Sequence, residues 1–405
     1  MFDHIVNAIY RNGFKILMTI KPPFEPKYFE GRGSSKKLFE YLASSGCKKA
    51  LIVTTEDLVR LNLLDSTYKA LDDLGIEYVT FDKVMPNPTL SSVNEAITLY
   101  NQSGCDAVIA FGGGSVIDAS KAISLQIGNN VPTEKLVGLF KAKRNAVPLY
   151  TVPTTAGTGS EVTSVAVISD DKTHKKLFIV DHKTISLATA LDPDPMLGLP
   201  AFITADTGMD ALTHAIEAYI SRVNTPEAME LAVDAVKLVF ENLPEAYTNG
   251  KNSKARENMA LASYKAGIAF NRMGLGFVHA ISHQLTALYG TAHGRANAIV
   301  LPYVLEESFE QIIPQLAALG KSSGVVTTGS RDREIATKFL DEIFKLGEFL
   351  KIPKTLDEIK EGDYQKIIHD ARKEAIKNYP TPHLLSKEEC KLVLDKIKYG
   401  SKDKY

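Results

Sequence analysis

The chain has 405 residues, 44% of them hydrophobic and 23% charged, which is enough for two substantial cores and too apolar for disorder. Its 47 Lys plus Arg against 48 Asp plus Glu leave a formal net charge of -1, so no overall field favours nucleic acid or an anionic membrane, and a small-molecule partner is expected. Cys47, Cys105 and Cys390 are widely spaced and lack CxxC spacing, which speaks against a disulfide framework or a thiolate metal site and for a reducing, cytoplasmic setting. At the N-terminus, Asp3, His4, Asn7, Arg11, Asn12 and Lys15 interrupt the apolar residues, so no secretory h-region is expected. No stretch reaches the roughly 18 apolar residues of a membrane span.

In chain order, residues 50–55, 76–82, 106–111 and 147–152 are short apolar runs, the first three separated by amphipathic helical patterns. This is the signature of βαβ units and a mostly parallel sheet. Two further strand-like runs, 162–168 and 177–181, have no helix between them and predict a hairpin or sheet extension. After the proline-rich break at 191–200 the pattern turns to long helical segments, roughly 206–222, 227–243, 252–271 and 275–289, with several more to about 398. The expected division is an α/β nucleotide-binding domain over 1–196 and an all-helical metal-binding domain over 197–405.

Two polar loops follow strand-like runs in the first domain. Phe111-Gly112-Gly113-Gly114-Ser115 opens a helical segment beginning at Val116, and a glycine-rich loop there lets backbone N–H groups approach a pyrophosphate at a helix N-terminus. In GxGxxG register the third position is Ile117, and no GK[ST] is present, so neither standard nucleotide motif is satisfied. The loop Thr154 to Glu161 follows the run 147–152 and should emerge at the same carboxyl edge of the sheet, where open α/β sheets bind ligands.

The helical half carries a set of metal-ligating residue types. Asp210 and His214 are four apart on one helix face, as are His279 and His283, and His293 follows ten residues later beside Gly294. Imidazole and carboxylate without thiolate suit Fe(II), Zn(II) and neighbouring divalent metals. Spacing alone leaves open which of the four histidines ligate.

These strings together resemble the iron-containing (group III) alcohol dehydrogenase family. The similarity runs through Asn87-Pro88-Thr89, Gly112 to Ser115 with Asp118 and Lys121, the Pro153 to Glu161 loop, Gly208 to Glu217, and the block from Gly274 to Pro302. The resemblance implies a Rossmann-like N-terminal domain and an all-α C-terminal domain, the dehydroquinate synthase-like architecture. It further implies a divalent metal, Fe(II) ahead of Zn(II), and NAD(P)-linked hydride transfer between a small primary alcohol or diol and its aldehyde.

Carried over residue by residue, the ligands fall on Asp210, His214, His279 and His293, which leaves His283 for proton movement or cofactor placement. Pyrophosphate contacts fall on Gly113, Gly114 and Ser115, an adenosine contact on Asn87, phosphate or nicotinamide contacts on Thr154, Thr155 and Thr158, and a further cofactor contact on Lys176. Substrate contacts fall on Phe270 and Val165.

Two positions depart from the family pattern. Thr55 stands where many members carry an Asp that repels a 2′-phosphate, so NADP(H) is expected to be tolerated and slightly favoured, although Glu56 and Asp57 follow at once. The stretch Lys377 to His383 is shorter than the family's usual segment. Alternatives are a polyol dehydrogenase or dehydroquinate-synthase-like enzyme, whose ligand spacing differs, and a non-catalytic nucleotide-binding module, which leaves the joint presence of loops and ligands unexplained. A homodimer or higher homo-oligomer is expected.

Overall fold

The strand-like runs of the first half pair side by side in a computed structural model that describes residues 2–20, 22–173 and 175–400. The strands are β1 (Lys27–Glu30), β2 (Lys49–Val53), β3 (Glu77–Phe81), β4 (Ala107–Gly112), β5 (Gly138–Leu139), β6 (Leu149–Pro153), β7 (Val165–Ser169), β8 (Lys176–Val180) and β9 (Ala188–Leu191). Six form one sheet in the order β1-β9-β6-β4-β2-β3, with every pairing parallel. β4 and β6 are buried along their whole length, because helices cover both faces and leave no polar side to alternate with. Leu51, Val53, Val108 and Ala110 face one core with Leu90, Val93, Val116 and Ile117. Ala50, Ile52, Ile109 and Phe111 face the other with Leu38, Phe39, Leu42 and Leu71.

The winding of the sheet reverses between β2 and β4. Loops that leave the carboxyl ends of those strands, carrying Thr55 and Gly113, therefore flank a topological switch point, the usual ligand position in such sheets. The pair expected as a hairpin or extension is an antiparallel hairpin, β7 with β8, in a separate three-stranded sheet of order β5-β8-β7. β1 and β9 were not foreseen. Each is four residues long, too short for a periodic signal, and β9 abuts the proline-rich segment that follows it.

Beyond Leu191 the described residues contain no strand. The helices Ala201–Ile220, Pro226–Thr248, Ser253–Met273 and Phe277–Tyr289 correspond to the four helical patterns read from the sequence, and five more follow to Tyr399. Thr225 caps Pro226–Thr248 by accepting from Ala228 N, and Pro226 occupies the first helical position, where its missing N–H costs nothing. Ala201–Ile220 is buried on nearly every side, so it reads as apolar all round rather than amphipathic.

The chain forms two compact units. One is Pro23–Leu199 with Gly250–Tyr264, and the other is Met1–Pro22, Pro200–Asn249 and Lys265–Tyr405. The boundary expected at 196/197 lies three residues before the change at Leu199, while the first residues and 250–264 fall to the opposite units. The reason at the N-terminus is a helix absent from the sequence reading, Phe2–Ile20, which packs on Tyr364–Asn378. Its buried Asn7 donates from Nδ2 to the carbonyls of Ile376 (3.1 Å) and Tyr379 (2.8 Å), satisfying acceptors at the end of that helix. No helix among the described residues is long and apolar enough to cross a membrane.

Asn7→Ala should cost about 1–3 kcal/mol, since it leaves buried carbonyls without a donor. A lower Tm together with faster tryptic cleavage at Arg11 and Lys15 is the expected result, and unchanged proteolysis would show that Asn7 does not anchor the helix.

Candidate metal centre and cofactor loops

Asp210 and His214 occupy successive turns of Ala201–Ile220, and His279 lies in the first turn of Phe277–Tyr289. His293 is the first residue of His293–Glu307. That last helix can come this close because residue 294 is glycine: a Cβ there would lie 2.4 Å from the Asp206 carbonyl oxygen and 3.4 Å from Asp210 Cβ. One ligand atom from each of Asp210, His214, His279 and His293 lies within 4.8 Å of the others, with the first three residues buried and His293 half-buried. Phe270 stacks on His214 with ring centroids 4.4 Å apart, so the aromatic residue read as a substrate contact lies beside the ligands.

The donor set is one carboxylate and three imidazoles, which suits a first-row divalent ion such as Fe(II) or Zn(II). The nearby guanidinium of Arg295 is held by Asp206 at 2.8 Å, on a different carboxylate from the one that faces the histidines. The residues therefore fit a divalent metal.

The second rank of residues around this group went unread in the sequence. Glu217, seven residues after Asp210 and so on the same helix face, accepts from Gly276 N (3.0 Å) and Val278 N (2.7 Å) and meets His279 Nδ1 at 2.6 Å. Burial pushes its carboxyl above the usual range, opposed by the N–H groups of Val278 and Gly276. Burial and the neighbouring imidazoles hold His279 well below the ordinary histidine range, so the ring is neutral. Asn297, one turn after His293, donates from Nδ2 to Asp210 Oδ1 (2.7 Å) and approaches His279 Nε2 (3.1 Å) and His293 Nε2 (3.2 Å). Because an amide nitrogen only donates, His279 Nε2 is an acceptor and the ring proton is on Nδ1, directed at Glu217. The lone pair then faces the ligand group.

His283 lies outside that group. Its Nδ1 meets Glu374 Oε1 at 2.7 Å, and the same oxygen accepts from Tyr379 Oη at 2.6 Å. Burial disfavours the charged imidazole, but the Glu374 carboxylate outweighs it by charge and hydrogen bond, and the pKa of His283 is raised. Its ring stacks 5.3 Å from that of His293. No spacing pattern in the sequence signalled Glu374.

The two polar loops meet within the α/β unit. β4 and β6 are neighbours, with Gly112 opposite Pro153, so both loops leave the same sheet edge. Gly113 caps the helix Gly114–Asn129, and Gly114 and Ser115 open its first turn, where N–H groups have no carbonyl a turn earlier. A Cβ on Gly114 would lie 2.7 Å from Thr158 Cγ2, and one on Gly113 would lie 3.1 Å from Thr155 Oγ1. Thr154 N donates to the Gly112 carbonyl (3.1 Å), and Thr158 Oγ1 accepts from Ser160 N (3.2 Å). Asn87, in the left-handed region at φ 60°, accepts from Lys176 Nζ, which brings these two distant residues together.

Thr55 caps the helix Glu56–Arg60 through Leu58 N. Val165 opens β7, where its carbonyl accepts from the buried Lys121 (2.8 Å). Under the loops, Asp118 accepts from Ser160 Oγ (2.6 Å) and Val167 N (3.0 Å), which fixes the second loop to the helix that follows the first.

Sequence comparisons match residues 25–193 to the iron-containing alcohol dehydrogenase family and 204–397 to the C-terminal domain of the same family. The chain is 35% identical to alcohol dehydrogenase 4 of Schizosaccharomyces pombe over 385 residues, covering 93% of this chain and 90% of the yeast protein. It is 40% identical to the NAD-dependent methanol dehydrogenase of Bacillus methanolicus over 310 residues, covering 75% and 81%. Among solved structures, a 1,3-propanediol oxidoreductase superposes with a TM-score of 0.89 at 34% identity, covering 92% of this chain and 98% of that one. The chain belongs to the iron-containing alcohol dehydrogenase family. It is a metal-dependent, NAD-linked oxidoreductase that interconverts alcohol and aldehyde.

Glu161, buried beside the second loop, has its pKa pushed by burial from 4.5 up to about 7, with Lys121 acting in the opposite direction. The native state thus holds its proton where the unfolded chain has lost it. The resulting stability is fully present below pH 4.5 and is lost as pH rises through about 7. Glu161→Gln should flatten this decline, with a gain of up to about 3 kcal/mol relative to wild type at pH 8. Urea melts of both proteins from pH 4 to pH 8 check it, and parallel curves would refute the assignment.

Proposed function

We propose that the protein oxidises a small primary alcohol or diol, or reduces the matching aldehyde, at a divalent ion held by Asp210, His214, His279 and His293. The observation that carries this reading is the convergence of those four donors within 4.8 Å beside the ring of Phe270. Fe(II) is the proposed ion, in keeping with the family, and Lewis acidity at the substrate oxygen is the chemistry it supplies when bound. Phe270 is proposed to wall the substrate on the side of His214. Val165 is retained as an apolar substrate contact, supported by its partly buried place at the start of β7.

His283 is proposed to move the alcohol proton. Glu374 holds Nδ1 at 2.7 Å and orients the ring beside that of His293, which supports a part in proton exchange with the substrate. Gly113, Gly114 and Ser115 are proposed to bind the pyrophosphate through backbone N–H groups, with Thr154, Thr155 and Thr158 beside them for phosphate or nicotinamide. Asn87 and Lys176, hydrogen-bonded to each other, are proposed as further cofactor contacts.

Thr55 supports acceptance of NADP(H), slightly ahead of NAD(H). Its hydroxyl is occupied in capping a helix, and the neighbouring Asp57 carboxylate is paired with Arg60 at 2.6 Å rather than left as an unopposed negative charge. A cytoplasmic location is proposed on the three free thiols Cys47, Cys105 and Cys390. A homo-oligomer is proposed on the exposed Ile5, Ile9, Ile16 and Ile20, which share one face of the helix Phe2–Ile20.

His279→Ala should lose metal and turnover together. His283→Ala should keep most of its metal and lose roughly 100-fold in kcat. Metal analysis beside alcohol-dependent NADH formation separates the two roles, and loss of metal in both variants would refute them. For the cofactor, kcat/KM should be at least as high with NADP as with NAD; a strong preference for NAD contradicts the role given to Thr55.

A further inference from the structure

Asn297 has the most constrained polar environment near the ligands. Its side chain is fully buried, and its Nδ2 lies 2.7 Å from Asp210 Oδ1, 3.1 Å from His279 Nε2 and 3.2 Å from His293 Nε2. Its Oδ1, also buried, accepts no hydrogen bond among the described residues. An unpartnered buried acceptor is costly, and a half-turn of the amide would exchange the two ends. The nitrogen end is inward because Asp210 Oδ1, at 2.7 Å, is a carboxylate oxygen whatever the tautomers of the two rings, and a carbonyl in its place would face that oxygen.

The location follows from the sequence. Asn297 is one turn beyond His293 on the same helix face, and Gly294 allows that face to lie against Ala201–Ile220. Its Nδ2 thereby bonds Asp210 on one helix and lies between His279 and His293 on two others.

We propose that Asn297 is a positioning residue of the metal centre: it fixes the Asp210 carboxylate by donating to Oδ1 and packs its amide against the His279 and His293 rings, whose Nε2 lone pairs stay available to an ion. The inference rests on the assignment of Asp210, His279 and His293 as ligands. It adds to that assignment a group that contributes no ligand atom. Glu217 performs the matching task for His279, holding the ring at Nδ1 and leaving Nε2 for an ion.

The test uses full-length protein loaded with Co(II), which reports ligand geometry through its visible absorption and can be titrated against a chelator of known affinity. Asn297→Ala should raise the Co(II) dissociation constant by roughly 10–100-fold and shift the visible bands, while the KM for NAD stays unchanged. Asn297→Asp should also bind more weakly, because it replaces a donor to Asp210 by a like charge. A variant with wild-type Co(II) affinity and bands would overturn the proposal. Tighter binding by Asn297→Asp would overturn it too, since that result makes residue 297 a ligand through oxygen. If Asn297→Ala does not accumulate, Asn297→Ser, with a hydroxyl too short to span the same acceptors, carries the same comparison. His279→Ala is the reference: retained metal there removes the ligand assignment itself, whereas lost metal there with unchanged binding in the Asn297 variants removes only this inference.

Discussion

Lone pairs of like character repel when they face one point inside a protein, and the helical unit is built around holding four of them there. Asp210, His214, His279 and His293 come from three helices. Each constraint on the surrounding chain serves that convergence: the nearly wholly buried helix Ala201–Ile220, the glycine at 294 that admits a neighbouring helix, and Glu217 and Asn297, which fix ring tautomers and carboxylate orientation. A donor left to rotate would lose the geometry on which affinity for an ion depends.

The α/β unit meets a different requirement with the same economy of parts. Adjacent parallel strands β4 and β6 deliver two loops to one edge, and their contact is close enough that a side chain on Gly114 would collide with Thr158 and one on Gly113 would press on Thr155. Beneath them, Asp118 accepts from Ser160 Oγ and Val167 N, and buried Lys121 donates to the Thr163 and Val165 carbonyls. Rigidity of the loops is thus supplied from below, by polar contacts that a Rossmann-type glycine fingerprint alone does not provide.

Much of this was legible in the sequence, for identifiable reasons. The parallel strands were visible because burial on both faces turns them into continuous apolar runs, and the candidate ligand group because helical spacing pairs Asp210 with His214 and His279 with His283, with His293 following beside Gly294. Choosing His293 over His283 lay beyond spacing; the family resemblance made that choice. In the structure His283 Nδ1 is engaged by Glu374, a partner ninety-one residues away that no local pattern can announce. β1 and β9 escaped notice because four residues carry no period, and the helix Phe2–Ile20 because its polar interruptions were weighed against a signal sequence rather than as one face of an amphipathic helix. Glu217 and Asn297 were within reach, at one or two turns from a ligand, but a lone Glu or Asn on a helix face has too many other uses to be singled out.

The central claim is that one divalent ion per chain, in this ligand set, is required for NAD-linked alcohol oxidation. Its most direct test is anaerobic titration of chelator-treated protein with Fe(II), following ion binding and NADH formation from a short primary alcohol in the same samples. The account predicts that turnover rises in proportion to bound iron and levels off at one ion per chain. Full turnover in the chelator-treated protein, or saturation of the site with no turnover for any alcohol or aldehyde tried with either cofactor, would contradict it.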